Sequence, residues 1–122
     1  MKKIMPQELD VWYLIPAIRR ELAIIFTKEK KLSQKETAII LGLTESAISQ
    51  YLKSKRAEEL KFSLKNKEEI RKTAEKIISD KKNSIRYLYE LSIKLRSSKC
   101  LCNLHREHDK DVSIYCNICG CK

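Results

Sequence analysis

The stretch LSQKETAIILGLTESAISQYLKSKR, residues 32–56, decides how this chain folds. Ser33 stands three residues before Glu36, the spacing of a capping box, in which the hydroxyl accepts from a backbone N–H and the carboxylate reaches back. A helix over 34–41 follows. Gly42 then supplies a residue that tolerates positive φ, as a sharp helix-to-helix turn requires. Ala38 is small where two helices must approach, and Leu43 is placed to plug the core beneath the turn. Thr44 caps a second helix, with Glu45 at its positive end. In that helix Ala47, Ile48, Tyr51 and Leu52 form the inward face, leaving Glu45, Ser46, Ser49, Gln50 and Lys53 outward. Each feature alone fits any pair of amphipathic helices. A small residue four before the glycine, an apolar residue one after it and another six after it together specify a helix-turn-helix.

A helix with that outward face fits the major groove of DNA, its N-terminal residues at base edges. Gln50 can pair bidentately with adenine, and Ser46 and Ser49 can donate or accept. Lys53, Lys55 and Arg56, with Thr44, stand where phosphate contacts would position the unit. The candidate DNA-contacting set is therefore Ser33, Gln34, Thr44, Glu45, Ser46, Ser49, Gln50, Lys53, Lys55 and Arg56.

Outward from this segment the chain reads as helical. It has 122 residues with only two Gly and two Pro, so tight hairpin turns are scarce and an all-α body is expected. Before it, Pro6 suits a first helical turn, with Glu8 and Asp10 near the positive end. Leu9, Trp12, Ile15, Ile18, Leu22 and Ile25 recur at helical steps, with Trp12 as a core anchor. Pro16 should kink or restart this helix. After it, Asn66 and Glu69 make a capping box for a helix with the stripe Ile70, Ala74, Ile77 and Ile78. Lys81, Lys82, Asn83 and Ser84 interrupt the pattern. A last helix carries Ile85, Leu88, Leu91 and Leu95, and with Tyr87 and Tyr89 it has more apolar surface than one neighbour needs. A dimer contact there competes evenly with intramolecular packing, and a charge at Leu88 or Leu95 would then favour the monomer.

The formal charge of +10 is unevenly spread. Residues 1–60 carry 11 Lys/Arg against 8 Asp/Glu, residues 61–97 carry 11 against 5, and residues 98–122 carry 4 against 3. A polyanion is the expected partner, because each cation set against a phosphate releases a counterion; a solvated lysine-rich surface is the bland alternative. No apolar run reaches the ~18 residues that span a bilayer. Pro6, Glu8 and Asp10 break up what would be a secretory signal. A cytoplasmic, reducing location is expected, where clustered cysteines are more often metal ligands than disulfides.

All five cysteines and both histidines lie in the last 23 residues, CLCNLHREHDKDVSIYCNICGCK. Two sites compete for them. Cys102-x2-His105 and Cys116-x2-Cys119, ten residues apart, make two chelating knuckles for tetrahedral Zn²⁺, which would fold a tail short of apolar residues. Alternatively, four thiolates from Cys100, Cys102, Cys116, Cys119 and Cys121 could hold an iron–sulfur cluster. The surplus of sulfurs over what one zinc requires leans toward the cluster. Cys116-Asn-Ile-Cys119 as a redox dithiol lacks a surrounding βαβ unit. His108 reads as an exposed polar residue.

The helix-turn-helix segment resembles the phage-repressor (Cro-like) superfamily. MPQELDVWYLIPAIRREL (residues 5–22) followed by residues 32–56 is more closely similar to a family of archaeal predicted transcriptional regulators. That resemblance covers about the first 56 residues. It implies a compact helical DNA-binding domain, commonly dimeric, on inverted-repeat sites. The tail is similar in kind to the cysteine-bearing ends of these regulators, and no ligand is carried over from them.

The expectation is an all-α helical bundle in three parts: a helix-turn-helix DNA-binding domain over 1–60, a helical connector with possible dimerisation over 61–97, and a metal-binding tail over 98–122. The function it points to is sequence-specific regulation by a homodimer on double-stranded DNA, with the tail sensing redox or iron–sulfur status. The alternative is the same fold with a structural zinc tail that docks another protein. No phosphate loop, nucleophile–base pair or paired carboxylates point to an enzyme, no stacking-aromatic motif points to RNA, and no membrane partner is expected.

Overall fold

The computed structural model describes residues 5–53 and 62–96, and these are helices joined by short connections, with no strand among them. A rod built from α1 (Pro6–Leu9), a π-turn (Asp10–Leu14), α2 (Ile15–Ile24) and a second π-turn (Ile25–Glu29) leads into α3 (Gln34–Leu41) and α4 (Glu45–Lys53). A helical hairpin follows: α5 (Leu64–Ser79), a 3₁₀ turn (Lys81–Asn83) and α6 (Ser84–Arg96).

Pro16 explains the first π-turn. Its ring would crowd the carbonyl four residues back and it has no N–H to give. The chain widens instead: the Ile15 N–H donates to the Asp10 carbonyl, five residues back, and the α ladder restarts with Pro16 in its first turn. Glu8 Oε1 accepts from the Met5 N–H at 3.0 Å and closes the start of the rod. The rod stops at Lys31, which takes the left-handed conformation (φ 57°) without being glycine. Leu32 then donates its N–H to the Phe26 carbonyl at 2.8 Å and packs on the core, the two halves of a left-handed helix stop.

One cluster of buried residues joins the whole fold. Leu9, Leu14, Ile18, Leu22 and Phe26 of the rod meet Leu41 and Ile48 of the helix-turn-helix and Ile70, Ile77, Leu91 and Leu95 of the hairpin. α4 lies against α2 and α3, and α6 lies against α5, the first π-turn and α3. Ion pairs pin the rod's end to α5: Arg71 Nη1 meets Glu29 Oε1 at 2.6 Å, and Lys30 pairs with Glu75. Across the hairpin Lys94 Nζ donates to Glu69 Oε2 at 3.0 Å, and the Tyr87 hydroxyl donates to Asp80 Oδ2, also at 3.0 Å.

Four expectations are corrected. Trp12 is 46 % exposed and is not a core anchor, because the widened turn brings Leu14 inward instead. Ser63, not Asn66, caps α5: its Oγ accepts from the Asn66 N–H at 3.2 Å, and Glu69 is engaged by Lys94 rather than by a cap. Ile85 is 59 % exposed; the inward row of α6 is Ser84, Leu88, Leu91 and Leu95. Leu88 and Leu95 are therefore intramolecular core, so a charge there attacks the fold and not a dimer.

Candidate nucleic-acid interface

The helix-turn-helix forms as its residues dictate. Ser33 Oγ accepts from the Glu36 N–H at 3.0 Å and starts α3 at Gln34. α3 ends on Gly42 at φ 69°, ψ 34°. Leu43 donates its N–H to the Ala38 carbonyl at 2.8 Å and rests half-buried on the core, which completes a Schellman stop. Thr44 Oγ1 then accepts from the Ala47 N–H at 3.1 Å and launches α4. Ala38, 4 % exposed, supplies the close approach between the two helices.

On α4, Ile48 is fully buried, and Ala47, Tyr51 and Leu52 are half-buried against the body. Glu45, Ser46, Gln50 and Lys53 are exposed, with Ser49 half-buried between them. At 3.6 residues per turn these five occupy an arc of about 140°. All are short polar or charged groups, and no apolar side chain interrupts them. Ser33 and Thr44 are exposed beside the starts of α3 and α4, and Gln34 is half-buried. The structure thus brings Ser33, Gln34, Thr44, Glu45, Ser46, Ser49, Gln50 and Lys53 onto the helix-turn-helix unit. Lys55 and Arg56 lie outside the described residues.

Lys35, one residue into α3 and exposed, is a cation on this unit that the sequence reading passed over; its position beside the Ser33 cap was the available signal. The charge excess of the hairpin is only partly neutralised internally. Arg71, Lys72, Arg86 and Lys94 pair with carboxylates, while Lys65, Lys67, Lys76, Lys81 and Lys82 form no ion pair among the described residues. The hydrogen bond from Lys94 holds the Glu69 carboxyl below its ordinary range against the opposing effect of desolvation, with the charges of Lys94, Lys72 and Lys76 adding to it. Asn83 and Tyr87 do the same for Asp80.

Between α5 and α6 a shallow cleft of about 110 Å³ is lined by Glu69, Thr73, Lys76, Tyr87, Glu90, Leu91 and Lys94. That is smaller than the several hundred Å³ of an ordinary ligand pocket. Among the described residues no three His, Cys, Asp or Glu gather as metal ligands, and no helix is long and apolar enough to cross a membrane. Cys100, Cys102, His105, Cys116, Cys119 and Cys121 lie outside the described residues. No protein-family model, no curated protein and no solved structure matches this chain.

Proposed function

We propose that the chain is a sequence-specific DNA-binding transcriptional regulator, acting as a homodimer on an inverted-repeat duplex site through α4. The observation that carries this reading is the Gly42 turn followed by the uninterrupted polar arc of α4. A helix with its side chains is about 10–12 Å across and the major groove about 12 Å wide, so α4 enters with that arc facing the bases. Gln50 reads an adenine edge, and Ser46 and Ser49 donate or accept at neighbouring bases. The Thr44 hydroxyl oxygen accepts within its own cap and leaves its proton for a phosphate. Lys53, with Lys55 and Arg56 beyond it, neutralises the backbone and fixes register.

Fluorescence anisotropy against a selected duplex and a scrambled one tests the assignment. Gln50→Ala weakens the selected site by about 1–3 kcal/mol and relaxes base preference; Lys53→Ala weakens both duplexes alike and lowers the salt slope by about one. If both variants bind every duplex like the wild type, α4 is not the recognition helix.

In this reading the tail holds an iron–sulfur cluster on four of its five thiolates, and cluster loss or oxidation biases the DNA-reading heads. Five cysteines within 22 residues support it. The Cys102-x2-His105 and Cys116-x2-Cys119 spacing supports a second reading, in which a structural zinc tail docks another protein. In that second reading Gln50→Ala leaves the activity intact.

A further inference from the structure

α6 carries two apolar rows, and the fold uses one. Ser84, Leu88, Leu91 and Leu95 face inward, and Tyr87, Glu90, Leu91 and Lys94 line the cleft toward α5. On the flank turned away from α5, Ile85, Tyr89 and Ile93 are 59 %, 65 % and 45 % exposed. They follow one another at four-residue steps and make a ridge about 12 Å long. The ridge begins at the helix-turn-helix, where Ile85 Cδ1 lies 3.8 Å from the position a Cβ on Gly42 would take. An unbroken exposed apolar ridge marks an interaction surface.

Two properties of the ridge say what covers it. It is palindromic about Tyr89, so a twofold axis there lays Ile85 of one copy on Ile93 of the other and Tyr89 on Tyr89, in both directions at once. Ridges of four-residue step also interdigitate with their like. The second property is charge. Arg86 and Glu90 run along the edge of the ridge nearer α5, paired with each other at 3.1 Å and exposed, with Glu90 also on the rim of the cleft. The same antiparallel axis brings Arg86 of one copy beside Glu90 of the other. A chain of formal charge +10 repels its own copies in general; along this edge each copy offers one cation and one anion, which removes the repulsion where contact occurs. A parallel pairing loses this match.

We propose that a second copy of this chain covers the Ile85–Tyr89–Ile93 ridge, in an antiparallel α6–α6 contact with its twofold axis at Tyr89. The inference deepens the homodimer part of the function proposed above and rests on that reading. It places the symmetry axis one helical turn along α6 from the Gly42 turn that Ile85 touches, so the two recognition helices are related through one short contact.

Sedimentation equilibrium of the full chain, without DNA and under anaerobic reducing conditions, tests it. The wild type is expected to be a dimer. Ile85→Lys and Ile93→Glu, each alone, leave an unmatched charge in the contact and weaken association at least about tenfold, which corresponds to 1.4 kcal/mol. Combined in one chain they restore the dimer, because the new ammonium at 85 meets the new carboxylate at 93 of the other copy twice over. Both positions are exposed, so unchanged thermal midpoints at high dilution accompany these shifts. A monomeric wild type, single variants that associate like the wild type, or a double variant no better than the singles each overturns the proposal. Gln50→Ala lies outside the contact and stays dimeric, so failure of DNA recognition and failure of this contact read out separately.

Discussion

At Gly42 the absence of one carbon atom decides where α3 ends. The residue sits at φ 69°, where an L side chain costs about 1–2 kcal/mol, and nothing else crowds the site, since the nearest atom to an added Cβ is 3.8 Å away. Its role was readable because chemistry and position coincide. Asp10 is the opposite case. Its Oδ2 accepts from Arg96 Nε at 3.0 Å, while Oδ1 is buried with no hydrogen-bond partner among the described residues. Burial pushes its carboxyl above the ordinary value, and the Arg96 charge only partly pulls it back. For an acid whose pKa is raised by folding, the favourable contribution is full below the unfolded pKa and is lost as pH rises through the folded one. The ionised Asp10 is therefore a net cost at neutral pH. Asp10→Asn, which mimics the neutral form, should leave the urea midpoint at neutral pH unchanged or higher. Any gain should vanish below the carboxylate range. A clear loss at neutral pH would mean that the Arg96 pair outweighs the desolvation. None of this was legible in the sequence, where Asp10 reads as an ordinary acid near a helix start.

At the scale of elements, caps decide boundaries, and caps compete. Ser63 and Asn66 are three residues apart and both are good capping residues. Asn66 had the better sequence case, because Glu69 completes a capping box for it. The fold chose Ser63, since Glu69 is needed across the hairpin by Lys94 and the earlier start adds a turn of backbone hydrogen bonds. Phe62, half-buried on the core just before the cap, anchors the entry. Ser63→Ala should lower unfolding stability by about 0.5–2 kcal/mol, and Ser63→Asp should retain most of it, as read from denaturant midpoints. An unaffected Ser63→Ala would return the start of α5 to Asn66. By contrast, the caps the sequence names at Ser33 and Thr44 are the ones used, and α3 and α4 begin where the sequence places them. The π-turn before Pro16 was half legible: a proline inside a helical pattern demands relief, but widening and kinking relieve it equally well on paper.

At the scale of the whole molecule, one preparation tests the chemistry proposed for the cysteine-rich tail. Protein purified without oxygen is expected to be brown, with bound iron and acid-labile sulfide in the proportion of a cluster per chain or per dimer. A colourless protein with about one zinc per chain would replace the cluster with a structural site, and the proposal for α4 would stand unchanged. What the sequence by itself determined is the all-α body and the helix-turn-helix with its polar outward arc. Those follow from local physics: capping spacing, a glycine's freedom at positive φ, and a 3.6-residue period that sorts Ile48 from Gln50. What only the tertiary structure decided is which apolar residues are covered. Leu88 and Ile85 satisfy the same period on α6, yet one is 9 % and the other 59 % exposed. Trp12 and Leu14 trade places because a π-turn shifts the angular register by more than a side chain's width. Periodicity defines an apolar helix surface wider than any one neighbour can cover. The choice within it belongs to the partners, here the rod and α5, and these meet α6 only once the chain has closed on itself.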